Sequence, residues 1–137
     1  MQLGILLFSR GEFYSAQSLF NEANTILEDN KSLGSRSMLN AINNNIGCVY
    51  VYLGKLEEAL VCFERASSDS RSNSGSDPNA ELSLLNDSIA QANIGYVKLG
   101  MRKFDEAMVV LEEALLVRFH LSCIASFSLF PFIPTNF

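Results

Sequence analysis

The segment Gly47-Cys-Val-Tyr-Val-Tyr-Leu-Gly-Lys-Leu-Glu-Glu-Ala59 sets the architecture, because the chain carries it three times. The other copies are Gly4-Ile-Leu-Leu-Phe-Ser-Arg-Gly-Glu-Phe-Tyr-Ser-Ala16 and Gly95-Tyr-Val-Lys-Leu-Gly-Met-Arg-Lys-Phe-Asp-Glu-Ala107. In each, twelve positions separate the first Gly from the Ala. A large apolar residue follows four positions later (Phe20, Phe63, Leu111), and a second Ala three after that (Ala23, Ala66, Ala114). Self-similarity of this kind marks a repeat architecture, in which each unit buries its apolar face against its neighbours.

The second half of each copy has helical spacing. Phe13, Ala16, Phe20 and Ala23 fall at offsets of three and four. So do Leu56, Ala59, Leu60, Phe63 and Ala66, and then Phe104, Ala107, Met108, Leu111 and Ala114. Such offsets place one apolar stripe along a helix, with Glu57, Glu58, Glu64, Asp105, Glu112 and Glu113 largely outside it. Small residues in the stripe admit a neighbouring helix and large ones fill the gaps. Gly11 and Gly54 stand where the preceding helix must stop, and glycine adopts a left-handed cap most readily. The pattern predicts an all-α chain, a solenoid of antiparallel helix–turn–helix units.

Gly47-x-x-Tyr50, Gly54, Ala59-x-x-x-Phe63 and Ala66 resemble the tetratricopeptide repeat, whose pattern runs L-G-x-x-Y and then A-x-x-x-F, with Ile46 in place of the Leu. The resemblance extends over roughly residues 1–118 and is best in the middle copy. Asn43 takes the place of the family's Trp, and no Pro closes a unit. Copies begin 43 and 48 residues apart, against the usual 34. That spacing is similar to the longer-repeat branch, such as kinesin light chains, where Asn-x-Gly in the first helix is common.

The third copy admits two registers. Matching Asn93-Ile94-Gly95 to Asn45-Ile46-Gly47 puts Lys98 at the tyrosine position. Matching Tyr96-Val-Lys-Leu-Gly100 to Tyr50-Val-Tyr-Leu-Gly54 restores the tyrosine and lengthens the turn by two residues. The second is preferred, because it buries Tyr96 instead of an unpaired lysine, whose burial costs several kcal/mol.

The units expected are an incomplete first repeat over 1–35, a second over 36–66, a Ser-rich loop over 67–78, a third repeat over 79–118 and a hydrophobic tail over 119–137. Arg36 to Leu53 can form one long helix. Asp77-Pro78 reads as a capped helix start. Met1 lies three residues before Gly4, so the opening unit lacks its front half and the chain reads as a piece of a longer array. The tail offers Phe127, Leu129, Phe130, Phe132, Ile133 and Phe137. Folding back over the last helix and meeting a partner both suit it.

Composition excludes several classes. The formal net charge is -5 with no basic cluster, which argues against nucleic acid, whose phosphates need Lys and Arg. No apolar stretch reaches the length of a membrane span, and the N-terminus lacks a secretory pattern. Three cysteines without a close pair argue against a disulfide framework or zinc site and make a reducing cytoplasm the default. Chemistry is equally thin. The single histidine, His120, has no ligand or catalytic companions at suitable spacing, and no phosphate-binding glycine loop occurs. No metal, cofactor, small-molecule substrate or catalytic residue is expected.

What the tetratricopeptide resemblance implies is a groove lined by the first helix of each pair, taking a peptide segment of a partner protein. Asn44, Asn45, Cys48 and Tyr52, with Asn93 and Tyr96, are the side chains it places there, although the preferred register turns Asn93 and Tyr96 toward the packed side. Asn45 and Asn93 match the recurring asparagine of the longer-repeat branch. Asn can both donate to and accept from a peptide backbone. It can equally solvate a helix face or bond to the adjacent hairpin. Expected packing residues are Gly4, Gly11, Ala16, Phe20, Gly47, Tyr50, Gly54, Ala59, Phe63, Ala66, Gly95, Ala107, Leu111 and Ala114. The alternative role is a rigid segment of a longer solenoid with no ligand of its own.

Overall fold

Three helical hairpins follow one another along the chain in the computed structural model, which describes residues 1–29, 33–68 and 80–124. Helices α1 (Gln2–Ser9) and α2 (Phe13–Glu28) form the first, α3 (Leu33–Tyr52) and α4 (Leu56–Ser68) the second, α5 (Ala80–Gly100) and α6 (Phe104–Ile124) the third. No strand occurs among the described residues. Each helix packs on the next in sequence, and α3 also touches α5 directly. The all-α hairpin stack is therefore as the repeated segment predicts.

The repeated Gly and the large residue sixteen positions later are one contact. A Cβ built on Gly47 would lie 2.6 Å from Phe63 Cε1, one on Gly4 2.6 Å from Phe20 Cε1, and one on Gly95 2.6 Å from Leu111 Cγ. Real Cβ atoms do not approach so closely, so the first helix of each pair is bare where the second inserts its side chain. Phe20 and Phe63 are each 1% exposed, a burial of about 1.5–3 kcal/mol apiece. Ala16, Ala59 and Ala107 are fully buried, with Ala66 and Ala114 nearly so, and leave the room the neighbouring helices need.

Between α1 and α2, and between α3 and α4, the chain turns on Gly11 (φ +80) and Gly54 (φ +72). The amides two and three residues past each helix close it. Gly54 N–H donates to Val51 O at 3.0 Å and Lys55 N–H to Tyr50 O at 2.9 Å, and Gly11 and Glu12 bond to Phe8 and Leu7 in the same way. This paired closure satisfies carbonyls that a helix end leaves open. Acidic Glu57 and Glu58 open α4 and Arg65 closes it, in accord with the helix dipole.

The third hairpin corrects the preferred register. Arg102, with φ 62, holds the left-handed position, and its amide and that of Lys103 bond to Leu99 O and Lys98 O. Lys98 thus stands where Tyr50 does, and Tyr96 is 58% exposed instead of buried. The burial cost that favoured the other register does not arise, because Lys98 is paired. Its Nζ donates to Glu106 Oε2 at 2.7 Å, and its side chain is only 18% exposed. Gly100 still ends the helix proper, but the turn comes two residues on.

Two expected boundaries also move. Ser67 and Ser68 belong to α4, not to a loop, and Ser67 is 5% exposed. At the other end α6 runs to Ile124, so residues 119–124 continue the third hairpin. The Asp77-Pro78 helix start and the phenylalanines of the tail lie outside the described residues.

Candidate interaction surface

The first helices carry the side chains that the resemblance singles out, and the internal repeat fixes how they line up. Asn45, Cys48 and Tyr52 of α3 correspond to Asn93, Tyr96 and Gly100 of α5 in the observed register. Because α3 and α5 touch, these two rows lie side by side.

The structure brings some of these residues together and sinks others. Asn93 Nδ2 donates to Asn44 Oδ1 at 2.8 Å, joining the second and third hairpins through their first helices. Asn93 is 6% exposed and Cys48 likewise 6%. Both spend their surface on packing and leave little for a ligand. Cys48 sits in the cluster of Ala59, Phe63, Ile94 and Val97. Burial pushes its thiol up to about 12, a bond to the backbone offsetting only part of that rise. Tyr52 is 37% and Tyr96 58% exposed, so these two rings, with half-buried Asn44 and Asn45, remain within a partner's reach.

Tyr52 is anchored from the opposite side. Its ring stacks on Phe13 (centroids 5.0 Å apart, planes at 24°) and meets Phe8 edge-on at 5.1 Å. Phe8 and Phe13 themselves lie 5.5 Å apart. This trio ties α1, α2 and α3 at one end of the first hairpin, with the ring geometries that aromatic quadrupoles favour. Desolvation raises the Tyr52 phenol above its ordinary value, and Cys48 and then Tyr96 add to the rise as neighbouring acids.

Sequence reading missed a polar seam between α4 and α5. Ser67 Oγ donates to Asp87 Oδ1, and Gln91 Nε2 donates to Ser67 Oγ at 2.6 Å. Serine abundance around Ser67 reads as linker. The one available signal was its place in the stripe, four residues beyond Phe63.

Among the described residues no group of three or more His, Cys, Asp or Glu side chains could hold a metal ion. His120 and the Glu57–Glu58 and Glu112–Glu113 pairs are exposed. No helix of the described residues is long and apolar enough to cross a membrane.

Residues 41–68, the second half of α3 with its turn and α4, match the tetratricopeptide repeat family model. Residues 41–68 are thus a tetratricopeptide-type repeat. The match falls on the copy whose Gly47, Tyr50, Gly54, Ala59 and Phe63 carry the pattern most fully, and the two flanking hairpins reproduce its contacts. No curated protein and no solved structure matches the chain. Tetratricopeptide repeats are in general protein–protein interaction modules and are typically non-catalytic.

Proposed function

We propose that the first-helix side of the hairpin stack holds a peptide segment of a partner protein, with Tyr52, Tyr96, Asn44 and Asn45 as the contacting side chains. The observation that carries this reading is the pair of exposed tyrosines on adjacent first helices. Tyr is amphipathic and loses little rotamer freedom on binding, so it anchors partners at low entropic cost. Asn44 keeps its amide nitrogen available while its oxygen accepts from Asn93. Cys48 and Asn93 support the surface from beneath. Two buried free thiols, Cys48 and Cys62, suit a reducing compartment such as the cytoplasm.

The test is selection of ligands from a random peptide library on the wild-type chain, followed by affinity measurement on Asn45→Ala/Tyr96→Ala. Loss of an exposed aromatic anchor at an interface centre commonly costs about 2 kcal/mol or more, so affinity should fall at least tenfold with helicity unchanged. Undiminished binding by the folded double variant refutes the assignment. The alternative role, a spacer within a longer solenoid, predicts that no peptide is selected at all.

A further inference from the structure

We propose that copies of this chain stack head to tail, with α1 of one copy seated on the outer face of α6 of the next. The internal repeat supplies the argument, because the molecule already makes this contact twice within itself.

Consider the seam where α5 packs on α4. Leu56 of α4 lies against Gly100, where an added Cβ would stand 3.2 Å from Leu56 Cδ1. Leu56 and Leu60 flank a cluster in which Ala59 and Phe63 of α4 bury Ile94 (5% exposed) and Val97 (0%) of α5. Ser67 bonds across the same seam to Asp87 and Gln91. The preceding seam repeats it, with Ala16 and Phe20 of α2 burying Ile46 (5%) and Val49 (0%) of α3.

Both halves of that contact recur, exposed, on the first and last helices of the described residues. On α6 the positions equivalent to Leu56, Leu60 and Ser67 are Phe104, Met108 and Leu115, exposed at 58%, 57% and 65%. Phe119 continues the row at 66%. Leu115 even replaces a polar seam residue by an apolar one. On α1 the positions equivalent to Ile46/Val49 and Ile94/Val97 are Leu3 and Leu6, exposed at 58% and 49%. Apolar surface of this extent marks an interface.

A second copy is the occupant that the page identifies, since this chain carries both complementary faces in the positions that mate inside it. Charge agrees. α6 bears Asp105, Glu106, Glu112 and Glu113, whereas α1 has no acidic residue and is followed by Arg10, so docking brings no carboxylates into opposition. Because the two faces differ, the contact is heterologous and propagates from copy to copy instead of closing on a two-fold axis.

Sedimentation velocity of the full chain over a wide concentration range tests the proposal with two variants. Leu3→Asp/Leu6→Asp spoils the donor face and Met108→Glu/Leu115→Glu the acceptor face. Wild type should grow beyond a dimer as concentration rises, and each variant alone should lose self-association. An equimolar mixture of the two variants should form a two-chain complex that grows no further, since only one mating pair of faces is intact. Self-association by the donor-face variant alone would mean symmetric α6-to-α6 pairing and overturn the proposal. A wild-type chain that stays monomeric at every concentration overturns it too, whether its own tail or a different protein covers α6. Circular dichroism checks that helicity is kept. Should a charged pair unfold the chain, Leu6→Ala and Met108→Ala replace it and must each weaken wild-type association.

Discussion

Adding one methyl group at Gly95 should destabilise the protein, and removing the side chain it strikes should reverse the sign of that effect. The Cβ of Gly95→Ala would lie 2.6 Å from Leu111 Cγ and 2.7 Å from Cδ2, and the next atom, Ala107 O, is at an ordinary 3.5 Å. Overpacking of a helix–helix contact costs about 1–3 kcal/mol, while replacing Gly by Ala inside a helix gains about 1 kcal/mol. In the wild-type background the net is a loss of up to about 2 kcal/mol. Leu111→Ala by itself costs about 2 kcal/mol, near the lower end for such truncations because Leu111 is only half-buried. Once Leu111 is alanine, both clashing atoms are gone and only the propensity gain remains. Gly95→Ala should then stabilise the Leu111→Ala chain by about 1 kcal/mol, an interaction energy of roughly 1–3 kcal/mol in the double-mutant cycle. Urea unfolding of the four chains, followed by circular dichroism at 222 nm, measures every term. Equal destabilisation by Gly95→Ala in both backgrounds would show that Leu111 does not sit over Gly95. A stabilised Gly95→Ala single variant would refute the close approach altogether.

Arg102→Gly should stabilise the third hairpin by about 0.5–1 kcal/mol, because φ 62 is costly for a side chain with a Cβ and free for glycine; an unchanged urea midpoint contradicts this. The Lys98 bond lowers the Glu106 carboxyl below its ordinary value, so its contribution is present above the normal carboxylate range and fades as pH falls through the lowered value. A carbon-detected titration should find that Glu106 midpoint moving up in Lys98→Met, and an unmoved midpoint would remove the ion pair. Cys48, pushed up to about 12 from 9.0, has about a thousandfold less thiolate at pH 8 than an unperturbed thiol. Alkylation of the native chain, quantified on the Cys48 peptide, should be at least that much slower than in urea, and comparable rates would place the thiol at the surface.

How much of this was legible in the sequence follows from what the spacing encodes. Gly4, Gly47 and Gly95 with their partners sixteen residues on are local contacts within one hairpin, so periodicity alone places them. The register of α5 was misread because sequence shows Lys98 as a charge without showing Glu106 beside it. Pairing across eight residues and a turn became visible only with coordinates. For the same reason Ser67 looked like linker, since its partners Asp87 and Gln91 are twenty and twenty-four residues away. Of the six surface candidates, the family resemblance could nominate all but could not tell that Cys48 and Asn93 sink between helices while Tyr96 stays out. That distinction is set by how α3 meets α5, a non-local fact.

The copies begin 43 and 48 residues apart, yet the glycine contact inside each hairpin keeps one geometry, with the same 2.6 Å approach in all three. The closure of each hairpin is therefore a property of the notch and its filler, independent of how far the backbone travels between copies. Lengthening a flexible connection costs little in general, about 0.6 kcal/mol for each doubling. Length inserted between hairpins should therefore leave each notch and its filler as they are.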